Sequence, residues 1–302
     1  MKFDLQSFSS SRLGIAVALA IGRFIPPRIG HPLSKVIAKW IVINKNNRMV
    51  QAVRANQWVV SQGRLTSDQL DTIVYKTFRH QTRCLYMYYR HLYDSKTSED
   101  FIEITPKFEK VIKQTQGNKN PTVIVGIHMS NFDLVAYAAS QHGLNALGLA
   151  LGDPTSGHEW QYEIRQSYGF NVVPANVSTI REAEKRLRNG GTVLTGIDRP
   201  LLQSKYSPRF FGHPATLPVI HIHLATRTNV PVVVVAPIMD DDGIFRVKAS
   251  DPIIMENHSE KKTMVTRNAE KVLEVAEDFI RQAPYQWVMF FPVWPSLIKK
   301  VP

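Results

Sequence analysis

A histidine followed five residues later by an aspartate stands at the end of a predicted buried strand. The apolar run 123–127 leads into His128, and Asp133 falls just inside the helix predicted to follow. Histidine is the side chain best suited to act as a general base near neutral pH. A carboxylate can fix the tautomer of the imidazole and stabilise the imidazolium that forms. The pattern therefore predicts His128 as a general base and Asp133 as its orienting acid.

From about residue 100 onward, short apolar runs alternate with amphipathic segments. The apolar runs predict strands at 122–127, 145–150, 170–174, 192–197 and 231–236. The amphipathic segments predict helices at 131–141, 159–168, 178–189 and 263–281. This alternation indicates an α/β fold with a mostly parallel central sheet flanked by helices. Ligands of such sheets gather beyond the carboxyl ends of the strands, which is where His128 falls.

The first 95 residues have a different texture and predict helices only. The helices are expected at 13–25, 33–43, 44–60 and 66–91. Pro26-Pro27 and a turn at Gly30-His31-Pro32 are expected to separate the first two helices, because proline interrupts helical hydrogen bonding. We therefore predict a helical N-terminal region, 1–95, followed by an α/β domain, 96–302.

Positive charge is concentrated in the N-terminal region. Residues 1–95 hold 14 Lys and Arg against 4 Asp and Glu, which accounts for +10 of the net +12 of the chain. The longest uninterrupted apolar run there is about ten residues, whereas a spanning helix needs about 20. Short apolar helices flanked by basic residues are typical of segments that lie on an anionic membrane surface. We predict that the N-terminal region associates with such a surface.

The composition of the N-terminal region also fits a secretory signal, because Lys2 and Arg12 precede a short apolar run with Ala18-x-Ala20. A nucleic-acid partner is disfavoured, because the sequence shows no helix-turn-helix, zinc-finger or aromatic single-strand motif. The single cysteine, Cys84, cannot form an internal disulfide, and its apolar surroundings predict a buried, unreactive thiol.

Several motifs, taken in order, resemble one protein family. They are H-x4-D at 128–133, D-R-P-L at 198–201, F-F-G-H-P-A-T-L-P at 210–218, L-A at 224–225, P-Y-Q-W at 284–287 closing at Trp294, and a helical lead-in at 48–60. Together they resemble the bacterial lipid A biosynthesis (lauroyl/myristoyl) and phosphatidylinositol mannoside acyltransferases, a branch of the lysophospholipid acyltransferase superfamily. The resemblance covers nearly the whole chain. Ser130, Phe132 and Ile220 stand where this branch often has Gly, Trp and Gly.

The resemblance implies direct acyl transfer without a covalent enzyme intermediate. His128 would remove the proton of an acceptor hydroxyl, which attacks the thioester of acyl-CoA or acyl-carrier protein, while Asp133 orients the ring. The acceptor would be a glycolipid or lysophospholipid. No cofactor and no metal is expected. The resemblance, together with the place where acyl thioesters are made, implies a location at the cytoplasmic face of the plasma (inner) membrane, peripheral or monotopic. A monomer is expected.

Eight residues are candidates for substrate binding, each for its own reason. They are Ser130, Asn131, Arg165, Asp198, Arg199, Phe210, Phe211 and Gly212. Asp198 and Arg199 end a buried-strand pattern and should face the same crevice as His128; a structural ion pair is the alternative. Arg165 could hold an anionic head group or be a solvated helix residue. The remaining candidates are expected to shape the loop and the pocket wall.

Two functional alternatives stay open at this point. With water as the acceptor, the same base would make the protein an acyl-thioester hydrolase. The substitutions at Ser130 and Phe132 also allow a catalytically silent lipid-binding homologue. A basic helical stretch with Arg181, Lys185, Arg186 and Arg188 could meet coenzyme A phosphates, although such a stretch is more commonly a solvated helix face.

Overall fold

The computed structural model describes residues 11–92, 100–150 and 156–302. The predicted domain boundary at 95/96, and Lys2 of the possible secretory signal, lie outside these residues. Four helices come first: α1 is Arg12–Phe24, α2 is Pro27–Ile43, α3 is Arg48–Val60 and α4 is Ser67–His91. Within the described ranges, every helix is too short or too polar to cross a bilayer.

Two details of the predicted N-terminal helices are wrong. Helix α2 runs through the expected turn at Gly30-His31-Pro32, because Gly30 packs against the Tyr86 ring of α4, where a side chain would clash at 2.3 Å. Pro32 lies near the start of α2 and removes only one helical hydrogen bond. The helix then ends at Ile43 and does not continue through 44–60, because the Asn47 side chain accepts a hydrogen bond from the Met49 amide and begins α3 separately.

A seven-stranded sheet forms the centre of the rest of the molecule. Its strands are β1 (Ile102–Glu103), β2 (Thr122–Gly126), β3 (Ala146–Ala150), β4 (Val172–Pro174), β5 (Thr192–Gly196), β8 (Val232–Met239) and β9 (Phe245–Ala249), and a small hairpin of β6 (Arg209–Phe210) and β7 (His213–Pro214) lies outside it. The strand order in the sheet is β1-β9-β8-β2-β5-β3-β4. All pairs in the large sheet are parallel except β8 with β9. The predicted mostly parallel α/β fold is confirmed.

Helices cover both faces of this sheet. They are α5 (Pro106–Thr115), α6 (Phe132–Gln141), α7 (Ser156–Ser167), α8 (Val177–Arg188), α9 (Ile220–Thr228) and α10 (Lys261–Gln282). Successive residues of β2 point into different cores, Val123 and Val125 into one and Ile124 into the other. Val59 of α3 joins the first core and Ile15 of α1 joins the second. Helices α1 and α3 therefore reach the cores of the sheet, whereas Ala38 and Ile41 of α2 pack in a third cluster with residues of α3 and α4.

Candidate active site

His128 and Asp198 meet where two neighbouring parallel strands end. In the pairing of β2 with β5, Gly126 lies opposite Gly196, and His128 and Asp198 each follow two residues later. His128 Nδ1 lies 2.6 Å from Asp198 Oδ1, and the His128 amide donates to Asp198 Oδ2 at 2.9 Å. The His128 side chain is 29% exposed, whereas that of Asp198 is completely buried. This is the arrangement of a general base held in one tautomer by a carboxylate.

The buried carboxylate of Asp198 is held in its charged form by several donors. A third hydrogen bond comes from the indole Nε1–H of Trp287, at 2.8 Å from Oδ2. Burial alone would raise the pKa of Asp198, but the charge of His128 and the hydrogen bonds from His128 and Trp287 outweigh it and hold this pKa below its ordinary value. Asp198 therefore remains an acceptor for the Nδ1–H of His128 at neutral pH.

Asp133 does not contact the imidazole, which corrects the expectation that it orients His128. Its Oδ1 accepts from Nη2 of Arg165 at 2.6 Å and from Nε at 3.1 Å. The left-handed φ of +47° at Ser130 turns the loop so that Phe132 packs edge-on against the His128 ring, with 5.1 Å between centroids. Asp133 consequently faces α7, and Asp198 takes the orienting position.

The Asp133–Arg165 pair lies largely out of solvent, with side chains 19% and 16% exposed. Burial would lower the pKa of Arg165, but the charge of Asp133, aided by Tyr168 and Tyr88, raises it. Arg165 therefore stays charged, but its charge is balanced by Asp133. It is less able to bind an anionic head group than an unpaired guanidinium would be. Its predicted substrate contact stays a prediction.

Ser130 and Asn131 build the loop between β2 and α6. Ser130 Oγ lies 2.9 Å from Nε2 of the buried His80, and Asn131 caps α6 through the Leu134 amide while donating to the Cys84 carbonyl. Both side chains are buried. Their direct contact with substrate stays a prediction, whereas their structural part in the loop is visible.

Arg199 is the charged side chain beside the dyad that forms no ion pair with any described carboxylate. Its guanidinium carbon lies 4.2 Å from the centroid of the Phe291 ring, and the residue is partly buried. Burial lowers the pKa of Arg199, and Tyr162 and Asp198 offset this only in part. A partly buried guanidinium without a neutralising partner is suited to receive an anionic group of a ligand.

Phe210 and Phe211 belong to an aromatic cluster next to Asp198. Their ring centroids are 5.8 Å and 6.3 Å from that of Trp287. Gly212 follows in an exposed turn at φ +77°, a conformation that favours glycine. The cluster packs around Trp287, which donates to Asp198; the part of Phe210, Phe211 and Gly212 in a pocket wall stays a prediction.

Two side chains near the dyad were not predicted from the sequence. Two other candidates, Cys84 and Arg186, have structural roles. Trp287 and His80 were missed; the motif containing Trp287 was visible in the sequence, but nothing local connects it to residue 198. Cys84 is buried, as predicted, and burial raises the pKa of its thiol to about 12. On α8, Arg186 bonds the Asn145 and Thr192 carbonyls, so it serves the fold.

The fold and the dyad define an α/β protein with a hydrogen-bonded histidine–aspartate pair beyond the carboxyl ends of two parallel strands. Over residues 3–296 the chain matches the model of the bacterial lipid A biosynthesis acyltransferases. The chain belongs to this family, which confirms the resemblance seen in its motifs. A comparison with curated proteins gave no significant match. Family membership indicates acyltransferase activity on lipid.

Proposed function

We propose that the protein transfers a fatty acyl chain from acyl-CoA or acyl-carrier protein to a hydroxyl of a glycolipid or lysophospholipid. The observation that carries this proposal is the His128–Asp198 dyad, in which Nδ1 is bound to a buried carboxylate while the ring stays partly exposed. Among the described residues, Nε2 of His128 has no hydrogen-bond partner. This nitrogen is therefore available to accept a proton from an acceptor hydroxyl.

The proposed reaction is a single acyl transfer. His128 Nε2 takes the hydroxyl proton, the acceptor oxygen forms a C–O bond with the thioester carbonyl carbon, and the C–S bond breaks. The thiolate leaves with the proton that the imidazolium returns, so the products are an ester and a thiol. Asp198 stabilises the imidazolium during the transfer. General-base assistance of this kind contributes about 10²–10⁴-fold to the rate.

Arg199 is the proposed contact for an anionic group of the substrate. Phosphate is the group shared by coenzyme A, the carrier-protein prosthetic group and phospholipid head groups, and a guanidinium binds it in a fork geometry. A shallow, widely open depression with a volume of about 630 Å³ lies on the segment after Arg199; it is lined by Leu202, Gln203, Ser204, Lys205 and Thr216, and not by His128, Asp198 or Arg199. Its mostly polar lining suits a head group better than a fatty acyl chain.

The proposed site of action is an anionic membrane surface, reached through α1 and α2. Seven large apolar side chains on these helices are exposed: Leu13, Val17, Phe24, Ile29, Val36, Trp40 and Ile43. Their spacing places them in one stripe on each helix. Residues 12–43, which span the two helices, include five Lys and Arg and no Asp or Glu, so their charge complements anionic lipids. We propose peripheral or monotopic attachment of a monomer at the cytoplasmic face of the inner membrane.

The test is acyl transfer by the full-length chain with labelled palmitoyl-CoA and a lysophospholipid or glycolipid in mixed micelles, with products identified by mass spectrometry. His128→Ala should abolish formation of the acylated lipid, whereas His142→Ala, an exposed histidine on the surface, should leave it unchanged. Release of free fatty acid at the same rate without acceptor would make the protein a hydrolase. Turnover that survives in His128→Ala would refute the proposal, and absence of turnover in wild type for every acceptor would favour the silent homologue.

The serine at position 130 bears on the silent alternative. Its φ of +47° lies in the left-handed region where this family often has glycine. Ser130 adopts the conformation all the same, and its hydroxyl is held by His80. A serine is therefore compatible with the left-handed conformation of this loop, which supports the catalytic alternative.

A further inference from the structure

The segment that follows α10 is hydrogen-bonded to the loop that carries His128. The Val288 amide donates to the His128 carbonyl at 2.9 Å, and the Ser130 amide donates to the Gln286 carbonyl at 2.7 Å. These two bonds flank an antiparallel bridge between Met129 and Trp287. The main chain on both sides of Met129 is thus fixed by residues near the end of the chain.

The side chain of Trp287 reaches the second half of the dyad. Its Nε1 donates to Asp198 Oδ2, while the other carboxylate oxygen faces His128 Nδ1. The indole ring is buried at 1% exposure, with the Phe210 and Trp294 rings at centroid distances of 5.8 Å and 6.3 Å. One short segment therefore holds the base through its main chain and the acid through a side chain.

Further hydrogen bonds fix this segment to elements on either side. Gln286 forms a pair of hydrogen bonds with the main chain of Met239 at the end of β8. From α3, Gln57 Nε2 donates to the Pro284 carbonyl at 2.7 Å, and Asn56 Nδ2 donates to the Met289 carbonyl at 3.0 Å. Gln286, Asn56 and Gln57 are buried. Buried hydrogen bonds of this kind give a segment a single conformation.

We propose that Trp287 is a positioning residue of the active site, whose indole N–H fixes and polarises Asp198 so that the carboxylate holds His128 in its reactive tautomer. This rests on the proposed function. The bracing by Asn56 and Gln57 makes helix α3 part of the same support, so the N-terminal region contributes to active-site geometry as well as to membrane attachment. The proton moves from the substrate hydroxyl to His128 and from there to the leaving thiolate; Trp287 exchanges none.

The test compares Trp287→Phe with Trp294→Phe. Both replacements keep an aromatic ring in the same cluster, but only the first removes a donor to Asp198; the Trp294 indole faces the His213 carbonyl at 3.4 Å. Losing one hydrogen bond to a buried charge should lower kcat about 10–100-fold in Trp287→Phe, with KM unchanged and with kcat of Trp294→Phe near wild type. Without the indole donor, the Asp198 carboxylate becomes a stronger acceptor and should stabilise the His128 imidazolium more strongly. The acid limb of kcat/KM should therefore move to higher pH in Trp287→Phe.

A fall in kcat without movement of the acid limb, or equal losses in the two variants, would overturn the positioning role. Should Trp287→Phe fail to fold, the indole N–H NMR resonance of Trp287 is followed in wild type instead. It is assigned by elimination, using Phe variants of the four other tryptophans. It should titrate with the same midpoint as the acid limb, and a pH-independent resonance would refute the inference. Failure of the proposed function is distinguishable, because it would show as turnover retained in His128→Ala or no turnover in wild type.

Discussion

Gly126 of β2 and Gly196 of β5 lie opposite each other in the parallel sheet, and this register determines the site. Both strands end there and each chain runs on for two residues, so the side chains of His128 and Asp198 meet, with Nδ1 and Oδ1 2.6 Å apart. Gly196 lies beside the imidazole, since a Cβ there would be in van der Waals contact with His128 Cε1 at 3.4 Å. Two residues separated by 70 positions in sequence thereby form one hydrogen-bonded pair.

The first prediction separates the two aspartates. Asp198→Asn should lower kcat about 10²–10⁴-fold, because the amide cannot stabilise the imidazolium and can favour the wrong tautomer. Asp133→Asn should lower kcat much less, because its carboxylate binds Arg165. Steady-state kinetics of both variants in the acyl-transfer assay would check this. A larger loss of kcat in Asp133→Asn than in Asp198→Asn would show that the dyad has been assigned to the wrong acid.

The sequence predicted the position of the site better than its internal pairing. Strand-end reasoning placed His128, Asp198 and Arg199 in one crevice because parallel strands expose their carboxyl ends together. The H-x4-D spacing suggested Asp133 as the partner, but a left-handed residue between them changes the direction of the chain, and a serine gives no local sign of that conformation. Trp287 was out of reach because only tertiary packing brings it to Asp198.

A second prediction concerns the stability contributed by Asp133 and Arg165. Removing one member, in Asp133→Asn or Arg165→Met, leaves the other charge poorly solvated and should cost about 3 kcal/mol of unfolding free energy. The double variant should be less destabilised than the sum of the two, since no unpaired charge remains. Urea unfolding of wild type, the two single variants and the double variant gives the coupling energy between Asp133 and Arg165. Strictly additive losses would contradict a direct interaction between the pair.

The loop at Ser130 supplies a third prediction. Ser130→Gly and Ser130→Ala both lose the hydroxyl that contacts His80, but only glycine adopts φ +47° without steric cost. Ser130→Gly should therefore be more stable than Ser130→Ala by about 1 kcal/mol, and should retain more activity. Thermal unfolding and kcat of the two variants provide the comparison. Equal stabilities would mean that the loop relaxes out of the left-handed conformation.

Two buried histidines predict how stability depends on pH. Burial lowers the pKa of His80 and of His221 from 6.5 to about 3. Above pH 6.5 both are neutral in folded and unfolded chains, so they add no pH dependence. Below about 6.5 the unfolded chain binds protons that the folded chain does not, and stability should fall towards about pH 3 by roughly 1 kcal/mol per pH unit for each histidine.

His221→Leu isolates one of these contributions. Both ring nitrogens of His221 lack a partner among the described residues, so an apolar replacement should raise the unfolding free energy at neutral pH and flatten its decrease between about pH 6.5 and 5. The exposed His142→Gln is the matched control and should follow wild type. Urea unfolding at several pH values measures both slopes. An unchanged slope in His221→Leu would contradict the neutral buried state.

Membrane binding by α1 and α2 should depend on both apolar contact and charge. Wild type should bind vesicles containing phosphatidylglycerol more tightly than pure phosphatidylcholine vesicles, and added salt should weaken the binding because it screens the basic residues. Trp40→Glu, at a side chain 62% exposed on the apolar stripe, should lower the fraction that sediments with vesicles. Val177→Glu, at an exposed apolar residue on α8, should not change it. Equal sedimentation of wild type with the two vesicle types at low salt, or equal effects of the two glutamates, would mean that this surface does not mediate attachment to the bilayer.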